Sequence, residues 1–158
     1  MRSLRLELHT CQITTPIVTM AKRALAKGGE FAQGLERSRK AALALHEKLK
    51  ADDRFVPGFV PELDIIVFAP RASSVGEMSA RSRKIFAAAA ARGLHLAVAE
   101  LPVAFFESLG ASVRKDGETL IALRSVLMKP EHLDWVDRIW EIVRTAMDEC
   151  SRTASKSA

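Results

Sequence analysis

The stretch Thr119–Trp140, TLIALRSVLMKPEHLDWVDRIW, decides the fold. Its first ten residues form an apolar, strand-forming run interrupted by one charge, Arg124. Lys129-Pro130 then ends the strand and opens an amphipathic helix, with Leu133, Val136, Ile139, Trp140, Val143 and Met147 on one side. Counting by twos puts Arg124 on the strand face of Leu120, Ala122, Val126 and Met128. A guanidinium stays charged and is costly to bury alone, so Arg124 needs either an internal carboxylate or a ligand anion. Glu100 and Asp64, on neighbouring strands, are the internal candidates. The alternative is bidentate capture of a carboxylate or phosphate.

Working outward, two more strands precede this one. Leu63–Ala69 (LDIIVFA) lies between Pro61 and Pro70, and Leu94–Leu101 ends at Pro102. Between them Ser74 and Glu77, in capping-box spacing, start a helix that runs through FAAAAA to Gly93. Upstream, Glu30–Ala51 repeats Phe31, Leu35, Ala42, Leu45 and Leu49 at helical spacing. Pro16–Lys27 predicts a shorter helix stopped by Gly28-Gly29, and Leu4–Leu8 a short strand. The pattern predicts a two-layer α+β domain, with a small, mostly antiparallel three-stranded sheet covered by helices and the third strand in the middle. Residues 1–150 read as one domain with a helical lead-in, and 151–158, SRTASKSA, as a disordered tail.

Composition narrows the function classes. The 158 residues are 48% apolar and 27% charged, as in ordinary globular domains. No apolar run reaches the length of a membrane span, and MRSLRLELHT lacks the apolar core of a signal peptide. Cys11 and Cys150 stand too far apart in the chain to suggest a disulfide framework or a metal motif, which suits a reducing cytoplasm. A net charge of +5 raises nucleic acid as a partner. Against it, the densest cations (Arg37, Arg39, Lys40 and Arg81, Arg83, Lys84) fall on predicted helices, and tyrosine is absent. Solvated helix faces explain these charges. His9, His46, His95 and His132 form no ligand pair, and Gly28-Gly29 sits between helices rather than after a strand. Phe105-Phe106, in a loop, reads as a contact with another domain or subunit, and Trp135 and Trp140 as packing or interface residues.

The succession PELDIIVFAP, GLHLAVAELP and TLIALRSVLMKPEHLDWVDRIW resembles the C-terminal small domain of pyridoxal-phosphate-dependent amino acid decarboxylases of the aspartate-aminotransferase fold. The resemblance runs from about Leu6 to Val143, with LRSVLMKPEH its most specific block, and GGEFAQGLERSRKAALALHEKL is similar to the helix leading into that domain. It implies that the cofactor-binding lysine belongs to a large domain. None of the nine lysines here follows the histidine typical of that site. It further implies that Arg124 is the arginine of the C-terminal strand that lies near a substrate carboxylate. No catalytic, cofactor-binding or metal-binding residue is then expected, and pyridoxal phosphate belongs to the full-length family rather than to this chain alone. Where relatives carry an arginine at the exit from the large domain, this chain reads LELHTCQI: either that site has diverged, or Met1 falls inside a longer ancestral enzyme. Three readings follow: a decarboxylase (lyase) small domain, truncated or split and inactive alone; a stand-alone interaction or ligand-binding module; or part of an aminotransferase-like relative. The implied partner is a large domain or a second copy of the chain, making a dimer or other homo-oligomer through Phe105, Phe106 and the N-terminal helix. No nucleic acid or membrane partner is expected.

Overall fold

The computed structural model describes residues 26–106, 109–110 and 112–155. The strand expected at Leu4–Leu8 and the predicted helix from Pro16 to residue 25 lie outside the described residues. The chain divides between Gly34 and Leu35 into two units. In the described part of the first, Gly29 N–H donates to the Ala26 carbonyl at 2.7 Å. Gly28, at φ +74°, takes the left-handed backbone that suits a glycine helix boundary. Helix α1, Glu30–Lys50, starts there and continues into the larger unit. Glu30 in its first turn and Lys48 and Lys50 in its last complement the helix dipole.

The larger unit is a four-stranded antiparallel sheet with helices on one face. After α1 come β1 (Phe55–Pro57), β2 (Ile65–Pro70), α2 (Val75–Ala90), β3 (Ala97–Pro102), a 3-10 turn at Val103–Phe105, β4 (Thr119–Val126) and α3 (His132–Ser155). The sheet order is β1-β2-β4-β3. The expected central strand is β4, antiparallel to both neighbours, with Phe68 opposite Leu123 and Glu100 opposite Ile121. The strand absent from the sequence reading is β1. At three residues it is too short to show a period, and Pro57 suits an edge that donates no ladder bond there. Helix α3 continues through Ser151 to Ser155, the first five residues of the stretch expected as a disordered tail. Met147 and Cys150, buried on its last turns, anchor that extension.

Each element ends for a local reason. The Ser74 hydroxyl accepts from the Glu77 N–H at 3.2 Å and caps α2, as the spacing predicts. Glu77 reaches one residue further back than a capping box, accepting from the Ser73 N–H and hydroxyl at 3.1 and 2.7 Å. Those bonds hold its carboxyl below the usual range. Asp116 accepts from the Gly76 N–H at 2.9 Å, so the Asp116-Gly117 turn also stabilises the start of α2. At the other end, Gly93 at φ +78° lets the Leu94 N–H turn back to the Ala89 carbonyl.

Alternation divides the core in two. Ile66 and Phe68 of β2 and Leu123 and Leu127 from the β4 segment pack on Leu45, Leu49, Ile85, Val143 and Met147 of the helices. The opposite face contributes Val56, Val67, Ala69, Leu120 and Ala122 to a smaller cluster with Val75, Met78, Val103, Phe106, Leu109 and Val113. Ser38, Ala41 and His46 join the expected stripe of α1, whereas Leu35 is exposed. Aromatic contacts bind the first core. Phe55 lies edge-on to Phe68 at 5.9 Å and to Trp140 at 5.7 Å. Arg54 bridges Asp52, at 2.7 Å, and Asp148 of α3, fixing the entry to β1 against the last helix. Four cations of the two dense clusters are engaged within the domain, while Arg83 and Lys84 are exposed. Arg37 pairs with Asp134, Lys40 with Glu36 and Arg81 with Glu77, and Arg39 donates to the Glu62 carbonyl.

Candidate functional site

Arg124 occupies the middle of β4, opposite Val67 of β2 and Ala97 of β3. It shares its face with Leu120 and Ala122, as counting by twos predicts, but the face is covered only at that end. From Arg124 onward it opens to solvent. Ile65 is 40% exposed and Met128 66%, and Arg124 itself is exposed. Neither expected carboxylate reaches it. Glu100 pairs with Ile121, which points to the opposite face, and accepts from the Thr119 hydroxyl at 2.6 Å. Asp64 engages β4 through its backbone carbonyl, which accepts from the Leu127 N–H at 2.8 Å. Among the described residues Arg124 has no ion-pair or hydrogen-bond partner. An exposed guanidinium on a partly apolar sheet face is suited to an anion supplied from outside.

More exposed apolar side chains belong to the loops beyond this face. A Cβ placed on Gly58 would touch Phe106 and Val67 at 3.4 and 3.5 Å, so the loop after β1 passes over the β2 end of the face. Phe59 and Val60, which follow, are about half and two-thirds exposed, and Leu63 is similarly bare. Phe105 is half exposed, whereas Phe106 is buried in the second core. The expectation that Phe105 and Phe106 act together as a contact surface is thus corrected for Phe106. The 3-10 turn points consecutive side chains in different directions, one to the core and one to solvent. Trp135 and Trp140 divide similarly, Trp135 half exposed and Trp140 packed on Phe55.

Phe59, Val60 and Phe105 line a cleft of about 480 Å³ with His46 and Lys50. His46 is buried and its Nδ1 has no partner among the described residues. Burial pushes its pKa down, Lys50 adds to this, and Glu47 opposes it. Unfolded histidine, with a pKa near 6.5, therefore binds more protons than folded His46 as pH falls through that value. Stability contributed by neutral His46 is complete above about pH 7 and declines below about 6.5. Thermal melts between pH 7 and 5 should show a loss that is smaller in His46→Leu. An identical slope in the variant would contradict this origin.

The clefts described among these residues do not fit pyridoxal phosphate. That cofactor requires a lysine and a carboxylate for its pyridine nitrogen. The cleft holding Lys50 and a second holding Lys129 contain no carboxylate. Lys84 lines a third with Glu149, which is already paired with Arg92. Among the described residues no group of His, Cys, Asp and Glu could hold a metal ion, and no helix is long and apolar enough to cross a membrane.

Comparison with known proteins adds a structural likeness. No protein-family model matches the sequence, and no curated protein matches it. Among solved structures the chain is similar to a crystal structure of Oryza sativa TDC with PLP, at TM-score 0.58 and 18% identity. The match covers 84% of this chain and 26% of that one, so the chain corresponds to about a quarter of its length. At this identity the likeness establishes the fold: an α+β domain of the kind found within a PLP-bound enzyme.

Proposed function

We propose that this chain is the small domain of a pyridoxal-phosphate-dependent decarboxylase-like enzyme, inactive alone, which presents Arg124 to a substrate carboxylate at the boundary with a large domain. The observation that carries the reading is the match of 84% of the chain to 26% of a PLP-bound plant decarboxylase. Two features support it. Arg124 lacks a partner among the described residues on a sheet face left open beyond Ala122, and the clefts that contain Lys50 and Lys129 offer no carboxylate for the cofactor. In this account the large domain covers the open face, supplies the lysine and the cofactor's electron sink, and leaves Arg124 to fix the carboxylate by two parallel hydrogen bonds. In its absence a second copy of the chain is the occupant of the same face. Equilibrium dialysis against pyridoxal phosphate followed by borohydride reduction, of the chain alone and with a lysine-bearing large-domain chain, tests the assignment.

A further inference from the structure

On the helix-covered side of the sheet, a cleft of about 590 Å³ lies between the approach to β3, the end of β4 and α3. Its size is that of a small-molecule site. The cationic or titratable groups lining it are Arg92, His95, Lys129, His132 and Arg138, with no Asp or Glu among them. Lys129 and Arg138 have no ion-pair partner among the described residues. Two acids in the first turns of the same helix are engaged elsewhere, Asp134 with Arg37 at 2.9 Å and Asp137 with Lys48 at 2.8 Å. Arg92 alone is partly neutralised, by Glu149.

One buried polar atom lacks a partner here, His132 Nδ1. Ser125, 5% exposed, lines the same cleft and adds a hydroxyl. A native fold rarely leaves a buried polar atom unsatisfied, so His132 points to something the cleft is built to receive. Trp135 stands at the cleft, its ring 5.7 Å from that of His132, and is half exposed. It offers a flat apolar surface beside the cations.

We propose that this cleft binds a small molecule bearing a phosphate group, held by Lys129 and Arg138 with Ser125 and His132 completing its hydrogen bonds and Trp135 against its body. A carboxylate carries one charge and two acceptor oxygens. A phosphate ester carries up to two charges and three terminal oxygens, which better matches two free cations, an unpartnered histidine and a serine hydroxyl. The site is separate from the carboxylate role of Arg124, because Ser125 and Arg124 are consecutive on β4 and point to opposite faces.

The test is a fluorescence titration of the full chain with inorganic pyrophosphate at constant ionic strength, with citrate as the carboxylate arm. The proposal expects saturable binding, a signal lost in Trp135→Phe, and affinity at least tenfold weaker in the double variant Lys129→Ser/Arg138→Ser. The control Arg83→Ser/Lys84→Ser, which removes two exposed cations from α2, should retain wild-type affinity. Matching thermal melts would verify that both double variants are folded. Absence of saturable binding, equal losses in the two double variants, or citrate binding as tightly as pyrophosphate would overturn it.

Discussion

Phe68→Ala is expected to destabilise the fold by about 3–5 kcal/mol, a large part of the roughly 5–15 kcal/mol that holds a domain together. Phe68 is fully buried on β2, between Pro57 of β1 and Leu123 of β4, and its ring meets Phe55 edge-on. Through Phe55 it is linked to Trp140, so the side chain joins the edge strand, the central strands and α3. Truncation removes that area from the core and leaves a cavity that rigid strands on both sides cannot close. Urea unfolding followed by circular dichroism measures the loss. Failure of the variant to fold at all agrees with the account. A loss below about 1 kcal/mol would mean that the helix-covered core does not depend on this strand.

The open half of the other sheet face should give the opposite pattern, with little effect on folding and a large one on association. Ile65 and Met128 are already exposed, so Ile65→Asp/Met128→Asp should change stability by no more than about 1 kcal/mol. Burial of each apolar side chain in an interface is worth about 1.5–3 kcal/mol, and a carboxylate in its place must be desolvated. Self-association of the wild-type chain at high concentration should therefore weaken by at least about 100-fold in the double variant. Arg124→Ala, which removes no side-chain hydrogen bond or ion pair with a described residue, should fold as the wild type does. Sedimentation equilibrium distinguishes the outcomes. A strictly monomeric wild type, or equal association in the variant, would remove this face as an interface.

Much of this arrangement was legible in the chain because it rests on short-range patterns. The strand at Thr119, the Ser74 cap, the Gly93 stop and the buried side of α3 follow from period, capping and turn chemistry. Counting by twos also gave Arg124 its face. That this face is covered at Leu120 and Ala122 but open from Arg124 onward was not legible, because much of the cover, Val103, Phe106, Leu109 and Val113 beside the start of α2, comes from a loop without a period. Glu100 was a plausible partner only until the register placed it opposite Ile121, and register between distant strands is a tertiary property. The cationic cleft went unseen for the same reason. Arg92, Lys129 and Arg138 are dispersed in sequence and converge only when α3 crosses the end of the sheet. Ser125 within an apolar strand was the available signal.

The central claim is that the cofactor belongs to another part of the enzyme and that this chain contributes a carboxylate-binding face. It is tested most directly by equilibrium dialysis of the purified chain against pyridoxal phosphate followed by borohydride reduction, with fixed cofactor measured by absorbance. The account predicts no stoichiometric fixation of the cofactor to a lysine by borohydride on the chain alone, and such fixation once a lysine-bearing large-domain chain is added. Stoichiometric fixation to the isolated chain, abolished by replacement of a single one of its lysines, would contradict it.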